Sequence, residues 1–354
     1  MPHGSVPTPA FMPVGTRGTV RGLTPAELSD AGSAIVLANA YHLWVRPGHD
    51  VVAALGGLHR FMGWTGPLLT DSGGYQVFSL SDRIELSEEG VRIRAVEDGA
   101  WRTLTPEGAV EIQETLGVDI AMSLDECLVY DTERDRAARS TERTSRWLQR
   151  CLTARRHADR TALFGIAQGG LFEDLRSAHA QELAALDLDG YAIGGLSTGE
   201  DRDALIGSAA VTANALPRDR VRYLMGVGQP ADIADAVAAG VDLFDCVLPT
   251  RAGRHGQAYT SEGRRNLRNA RYRSDPAPLD PACACACCRT FSRGTLRHLV
   301  HAEELLGKRL LALHNLTFYQ DLVRRLRSAI LARDPAALAD VRSGAVQATA
   351  LADA

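Results

Sequence analysis

The chain has 354 residues, of which 45% are hydrophobic, and a formal net charge of -4. That is a globular composition, sufficient for the core of one large domain or two ordinary ones. No stretch approaches the roughly 18 consecutive apolar residues of a membrane span, and Met1-Pro2-His3-Gly4 lacks the features of a signal peptide, so a cytoplasmic protein without a membrane partner is expected.

Short apolar runs alternate with helical patterns from the N-terminus onward. The runs are Phe11 to Val14, Ala34 to Ala38, Leu68 to Thr70, Ile120 to Leu124, Ala162 to Ala167, Tyr191 to Ile193, Val221 to Met225 and Val241 to Phe244. Helix starts lie between them: Thr24-Pro25-Ala26-Glu27, Thr105-Pro106-Glu107 and Gln229-Pro230-Ala231-Asp232 each place proline in the first turn with an acid behind it. Eight parallel strands with intervening helices predict an α/β fold of the (β/α)8 TIM-barrel type over residues 1–250, with a doubly wound open sheet as the competing arrangement. Two insertions interrupt the alternation. Residues 81–104 read as a small antiparallel excursion, and residues 251–314 form an arginine-rich, cysteine-bearing segment after the last strand. Residues 315–354 supply an amphipathic helix, Leu316 to Ala332, and an Ala-rich tail after Asp334 expected to be frayed or loosely docked.

Barrel enzymes place their chemistry at the carboxyl ends of the strands. Here those ends read Asp71-Ser72-Gly73-Gly74-Tyr75-Gln76, Asp125-Glu126-Cys127, Gln168-Gly169-Gly170, Gly194-Gly195-Leu196, Met225-Gly226-Val227-Gly228 and Asp245. The glycines would let backbone N–H groups approach a flat ligand, with Tyr75 and Met225 on its faces. Asp245 sits inside an apolar run stopped by Pro249, where a charge costs several kcal/mol unless it is paired or needed for chemistry. Its alternative reading is a buried aspartate that caps a loop or pairs with an arginine.

Seven cysteines in so long a chain, four of them between Cys283 and Cys288, do not form a secreted disulfide framework. Cys283, Cys285 and Cys288 with the later His314 would make a closed tetrahedral Cys3His site for one structural Zn2+. A catalytic zinc would need a vacant position, and an iron–sulfur cluster would more often show four thiolates. Cys287 could replace one of the three or be a spare thiol, and unliganded core cysteines are the remaining alternative. Arg251, Arg254, Arg264, Arg265, Arg268, Arg271 and Arg273 meet only Glu262 before Ser274, a local basic stretch that the net charge hides.

The phrases Phe11-Met12-Pro13-Val14-Gly15-Thr16, Tyr41-His42-Leu43, Asp71-Ser72-Gly73-Gly74-Tyr75-Gln76, Ala167-Gln168-Gly169-Gly170, Gly194-Gly195-Leu196, Tyr223-Leu224-Met225-Gly226-Val227-Gly228 and Phe244-Asp245-Cys246-Val247-Leu248-Pro249-Thr250-Arg251, with the Cys-x-Cys-x-x-Cys segment, closely resemble tRNA-guanine transglycosylases, and Asp125-Glu126-Cys127 resembles the bacterial form. The resemblance spans Pro7 to about Leu326. It implies a pentosyltransferase of queuosine biosynthesis that exchanges the wobble guanine of tRNAs with a GUN anticodon for 7-aminomethyl-7-deazaguanine. By the same resemblance Asp245 is the nucleophile and Asp71 the general acid/base. Ser72, Gly73, Gly74, Tyr75, Asp125, Gln168, Gly195, Leu196 and Met225 would hold the base. RNA contacts would fall on Gly226, Val227, Gly228, Gln229, Pro230, Ala231 and Asp232 and on Thr250, Arg251, Ala252, Gly253 and Arg254. A homodimer is implied by resemblance alone. Leu128 and Val129, Ser197 and Thr198, and Ala252 and Gly253 depart from the usual bacterial pattern. A paralogue acting on DNA or another RNA, and a non-catalytic zinc-stapled RNA-binding subunit, are the other readings, the second opposed by the presence of both aspartates.

Overall fold

The computed structural model describes residues 1–74, 84–95 and 99–352. Its eight apolar runs form β1 (Ala10–Gly15), β2 (Val36–Asn39), β3 (Leu68–Asp71), β7 (Ile120–Met122), β8 (Ala162–Ala167), β9 (Gly190–Ile193), β10 (Val221–Leu224) and β11 (Leu243–Cys246), all paired in parallel and closed into a barrel in that order. The open-sheet alternative fails at the pairing of β1 with β11, where Met12 faces Asp245 and Phe11 faces Phe244. Closure is helped by a small residue: a Cβ on Gly190 would lie 2.4 Å from the Phe164 ring that fills the barrel interior. Phe164 packs there with Met12, Leu37, Leu69, Met122, Ile166 and Tyr223, and a second apolar layer joins the outer face of the strands to the helices.

The helix starts hold for physical reasons. Thr24 and Glu27 form a reciprocal capping box, and Thr105 caps Pro106–Leu116 through the Gly108 N–H. Gln229 stands at the N-cap of Pro230–Ala238 without capping it; its Oε1 accepts from the Tyr259 hydroxyl at 3.2 Å.

The first excursion is a three-stranded antiparallel sheet, β4 (Ile84–Leu86), β5 (Val91–Arg94) and β6 (Trp101–Leu104). It is fastened to the helix Arg134–Ala154, whose Trp147 Nε1–H donates to Glu88 O at 2.9 Å and whose Arg146 binds the Glu88 carboxylate. The second insertion contains the hairpin β12 (Gln257–Thr260) and β13 (Gly263–Asn266) and leads into one continuous helix, Leu305–Leu331. That helix begins eleven residues before the expected Leu316 and carries His314 in its middle. Its Gln320 Nε2 donates to Phe11 O at 3.0 Å, pinning it to β1. The tail is not frayed: Asp334 caps a helix, Pro335–Thr349, that packs on Pro230–Ala238. Among the described residues no helix is long and apolar enough to cross a membrane.

Candidate active site

Two carboxylates occupy the strand ends, each held by neutral donors. Asp245, at the end of β11, accepts at Oδ1 from the Tyr223 hydroxyl at 2.6 Å and from the Gly226 N–H at 2.8 Å. No donor among the described residues reaches its Oδ2. Burial pushes the Asp245 carboxyl above the usual carboxylate range, and these two hydrogen bonds pull it back in part. The carboxylate is densely surrounded yet still partly exposed, as expected of a group on the floor of an open mouth. One of these donors, Gly226, lies in the loop after β10, so the carboxylate does fasten that loop, but no arginine among the described residues pairs with it. Asp71, at the end of β3, accepts from the Asn39 side chain and from the Ala40 N–H at 2.9 Å. Asn39 faces Asp71 across the β2–β3 ladder, so register alone makes that contact. The Tyr223 hydroxyl feels both charges: burial first, then Asp245 and Asp71, drive its ionisation well above the ordinary phenol value.

Beside this pair, Asp125 is buried and accepts from Gln168 Nε2 at 2.7 Å, with Ser72 as a further donor. Burial raises its carboxyl to about 6, with the neighbouring Glu126 charge adding to the rise. The glycines on either side are spacers. A Cβ on Gly74 would meet Asp125 Oδ1 at 2.1 Å, and Gly195, at φ +67°, would place one 2.2 Å from Gln168 Oε1. Leu196 is buried beyond them, and Met225, half-buried, donates its N–H to Ile193 O at 3.2 Å. Ser72 and Gly74 thus converge with Asp125, Gln168 and Gly195, whereas a Cβ on Gly73 would face Leu104 and Tyr41; Tyr75 lies outside the described residues.

Several residues that hold this wall were not singled out by sequence. The Gln168 N–H donates to His179 Nδ1 at 2.9 Å, and burial pushes that imidazole down to about 4, keeping it a neutral acceptor. Arg176, wholly buried and lowered to about 10 by burial, donates to Gly170 O at 2.5 Å and to Gly194 O at 3.2 Å, tying the two glycine turns together. Glu126 receives Arg136 and, at 2.6 Å, Arg143. Tyr223 and Asn39 belong to this group too; in the sequence Tyr223 stands only within the phrase Tyr223-Leu224-Met225, and Asn39 only as the polar residue that ends the run Ala34 to Ala38.

The predicted RNA residues divide by orientation. Arg251 is exposed, and Arg254 is pushed down by burial and by the nearby Arg21 and Arg251 charges, so three guanidinium groups gather beside the mouth. Thr250, Ala252 and Gly253 are buried instead; a Cβ on Gly253 would lie 2.5 Å from the Ala312 backbone. Gly226 is exposed, whereas Val227, Gly228, Pro230 and Ala231 are buried, Gln229 is held by Tyr259, and Asp232 pairs with Arg202 at 2.8 Å.

Cys283, Cys285, Cys288 and His314 bring their four donor atoms within 4.8 Å of one another. Cys285 Sγ is 3.6 Å and Cys288 Sγ 3.3 Å from His314 Nδ1, while His314 Nε2 meets Tyr259 O at 2.8 Å, which fixes the ring with Nδ1 toward the thiols. Three thiolates and an imidazole suit Zn2+. Cys287, buried in the surrounding apolar cluster, is outside the four. The next residue, Asn315, donates to Pro249 O at 2.9 Å and to Gln257 O at 3.0 Å, linking the cluster to the segment that follows Asp245.

A protein-family model described as queuine tRNA-ribosyltransferase matches residues 1–345. The chain belongs to this family. The queuine tRNA-ribosyltransferase of Solidesulfovibrio magneticus is 53% identical over 93% of the chain and 88% of that relative. The same-named protein of Thermosynechococcus vestitus is 53% identical over 96% of the chain and 89% of its own length. That of Geobacillus thermodenitrificans is 52% identical over 93% and 87% respectively. Membership in the family agrees with the barrel and with the Cys3His cluster that follows its last strand.

Proposed function

We propose that this chain exchanges the guanine at position 34 of tRNA for 7-aminomethyl-7-deazaguanine in the queuosine pathway, with Asp245 as nucleophile and Asp71 as general acid/base. The observation that carries the reading is the Asp245 carboxylate. Both donors sit on Oδ1, so the Oδ2 lone pairs remain for a substrate. In the first step Oδ2 attacks C1′ of the wobble nucleoside and the C1′–N9 bond breaks. The bonding pair goes to the departing guanine, which takes a proton from Asp71. In the second step N9 of the incoming base attacks C1′, its proton passes to Asp71, and the Asp245 carboxylate leaves. Two inversions give overall retention, as in a retaining glycosidase.

Asp125 and Gln168 read the hydrogen-bonding edge of the flat base, with the Gly195 backbone beside them. A base can reach this floor only after leaving the anticodon stack. Arg251 and Arg254 meet the phosphates around it. The Cys3His cluster holds one zinc ion; when bound, the ion ties the insertion to the helix Leu305–Leu331. We place the enzyme in the cytoplasm and as a homodimer, on family resemblance. Labelled guanine offered with unmodified tRNA-Tyr tests the reading: incorporation displaced best by 7-aminomethyl-7-deazaguanine supports it, and displacement by queuine alone overturns the choice of base. Failure of Asp245→Ala to abolish incorporation overturns the assignment of the nucleophile.

A further inference from the structure

One of the two donors to Asp245 rides on a loop that holds itself poorly. The Gly226 N–H, 2.8 Å from Asp245 Oδ1, belongs to Met225-Gly226-Val227-Gly228-Gln229, the connection between β10 and the helix Pro230–Ala238. Gly226 stands at φ +73° with nothing within 4 Å of where a Cβ would be, so local packing does not aim that N–H. Restraint comes from outside the barrel. The Tyr319 hydroxyl donates to Gly228 O, and the Tyr259 hydroxyl donates to Gln229 Oε1 at 3.2 Å. Both tyrosines are wholly buried, and their rings meet edge to face at 5.4 Å and 82°. Gly228 in turn lies against the residue after Asp245: a Cβ on it would be 2.5 Å from Cys246 Sγ.

We propose that Tyr259 and Tyr319 are positioning residues for the nucleophile, bracing the loop that carries the Gly226 N–H from the side of the cysteine-bearing insertion. The proposal rests on Asp245 being that nucleophile. Each hydroxyl acts through Gly228 or Gln229 and so through the loop, not on the reacting atoms. The tyrosines are themselves fixed from behind. The Tyr259 N–H donates to Asn315 Oδ1 at 2.9 Å, and Tyr259 O meets His314 Nε2 at 2.8 Å. Two consecutive residues of the helix Leu305–Leu331 thus clamp both backbone polar groups of Tyr259, and the first of them belongs to the Cys3His cluster. Tyr319 lies one turn beyond Asn315 and packs on Phe11 of β1, ring centroids 4.9 Å apart, and β1 is the partner strand of β11. Buried donors gripping two successive loop residues keep the Gly226 N–H on Oδ1 while the carboxylate reacts. The insertion therefore sets the rate of glycosyl transfer as well as the grip on RNA.

Tyr259→Phe and Tyr319→Phe keep the rings and delete the hydroxyls. In base exchange by the zinc-loaded chains, each should lower kcat about 3- to 10-fold and leave KM for tRNA and for guanine within about twofold of wild type. The acid limb of kcat should move to higher pH, because a weaker Gly226 hydrogen bond favours the protonated carboxyl. Gln229→Leu should reproduce the kcat of Tyr259→Phe, and the double variant should be no slower than either, since one contact is lost in all three. Tyr272→Phe is the control: it deletes a hydroxyl of the same insertion that meets Arg265 and Arg271 instead, and it should leave rate and limb in place. Equal effects in Tyr272→Phe, additive losses in the double variant, or an unmoved limb in both tyrosine variants overturn the proposal. Loss of zinc from both also overturns it, by making the hydroxyls supports of the metal cluster. The covalent adduct with tRNA, trapped by denaturation, is mapped in each chain. Attachment away from Asp245 fails the nucleophile assignment, whereas attachment at Asp245 with unchanged kcat fails the brace alone.

Discussion

Replacing Asp125 by asparagine should make the protein more stable and a poorer base binder. Asp125 is 5% exposed, and burial moves its carboxyl from 3.8 to about 6 against the opposing pull of Gln168 and Ser72. Two units correspond to about 3 kcal/mol against the ionised form at neutral pH. Because the folded-state value is raised, the folded chain keeps a proton that the unfolded chain has released. The contribution to stability is therefore complete below pH 3.8 and lost as pH rises through about 6. Asparagine keeps the shape and an acceptor for Gln168 but cannot ionise, so Asp125→Asn should gain up to about 3 kcal/mol above pH 7 and little near pH 4. Urea unfolding of the zinc-loaded chain between pH 4 and 8 measures this. Equilibrium dialysis of labelled guanine supplies the functional half. Wild-type affinity should fall below about pH 6 as Asp125 becomes protonated, while the variant binds weakly with no such limb. A variant less stable than wild type at pH 8, or one that retains the acid limb, would refute the link between burial and base recognition.

Tyr223→Phe removes one of the two donors to Asp245. A hydrogen bond to a charged group contributes about 1.5–3 kcal/mol, so kcat/KM should drop about 10- to 100-fold, with its acid limb moved to higher pH; an unmoved limb counts against the role. Metal analysis should find no zinc in the Cys3His site of Cys285→Ser and a full equivalent in Cys287→Ser, since only the first is among the four converging donors. Gly195→Ala, strained at φ +67° and crowding Gln168, should raise the KM for free base with tRNA affinity unchanged. Arg251→Ala and Arg254→Ala should each lower the slope of log K for tRNA against log salt by about 1, whatever the sequence bound.

The strands were legible because each is a short apolar run cut off by Gly, Asn, Asp or Gln, and a closed parallel barrel buries such runs on both faces. The helix start at Thr24 was legible because its signal is local, a capping side chain three residues from its partner. Contacts made by register were hidden. Nothing in the sequence says that Asn39 faces Asp71, or that Tyr223 on β10 reaches Asp245 on β11. The last helix was missed although Asp334-Pro335 is a sound start signal, because its Ala-rich face gives little amphipathic contrast. Cys287 was ambiguous because spacing alone treats four close thiols as equivalent. The short helix Ala286–Thr290 separates them, since successive residues there point about 100° apart, and Cys288 rather than Cys287 faces His314.

Why some buried carboxylates of this barrel are structural and others chemical follows from their partners. Glu126 is met by two arginines, which consume its lone pairs and cancel its charge. Asp245 and Asp125 are deeper in cost, since burial raises both, yet their described partners are an amide side chain, hydroxyls and backbone N–H groups. A guanidinium in either place would remove the ionisation penalty and with it the free oxygen that a nucleophile or a base-reading acceptor requires. The fold therefore tolerates about a few kcal/mol of instability at the mouth and balances it with the apolar layers around the barrel. Asp119, at the other end, lacks an arginine as well, but hydrogen bonds from His59, the Leu68 N–H and His3 outweigh its burial and hold its carboxyl at about 2, so both of its oxygens are consumed in joining the N-terminal segment and β3 and none is left for chemistry.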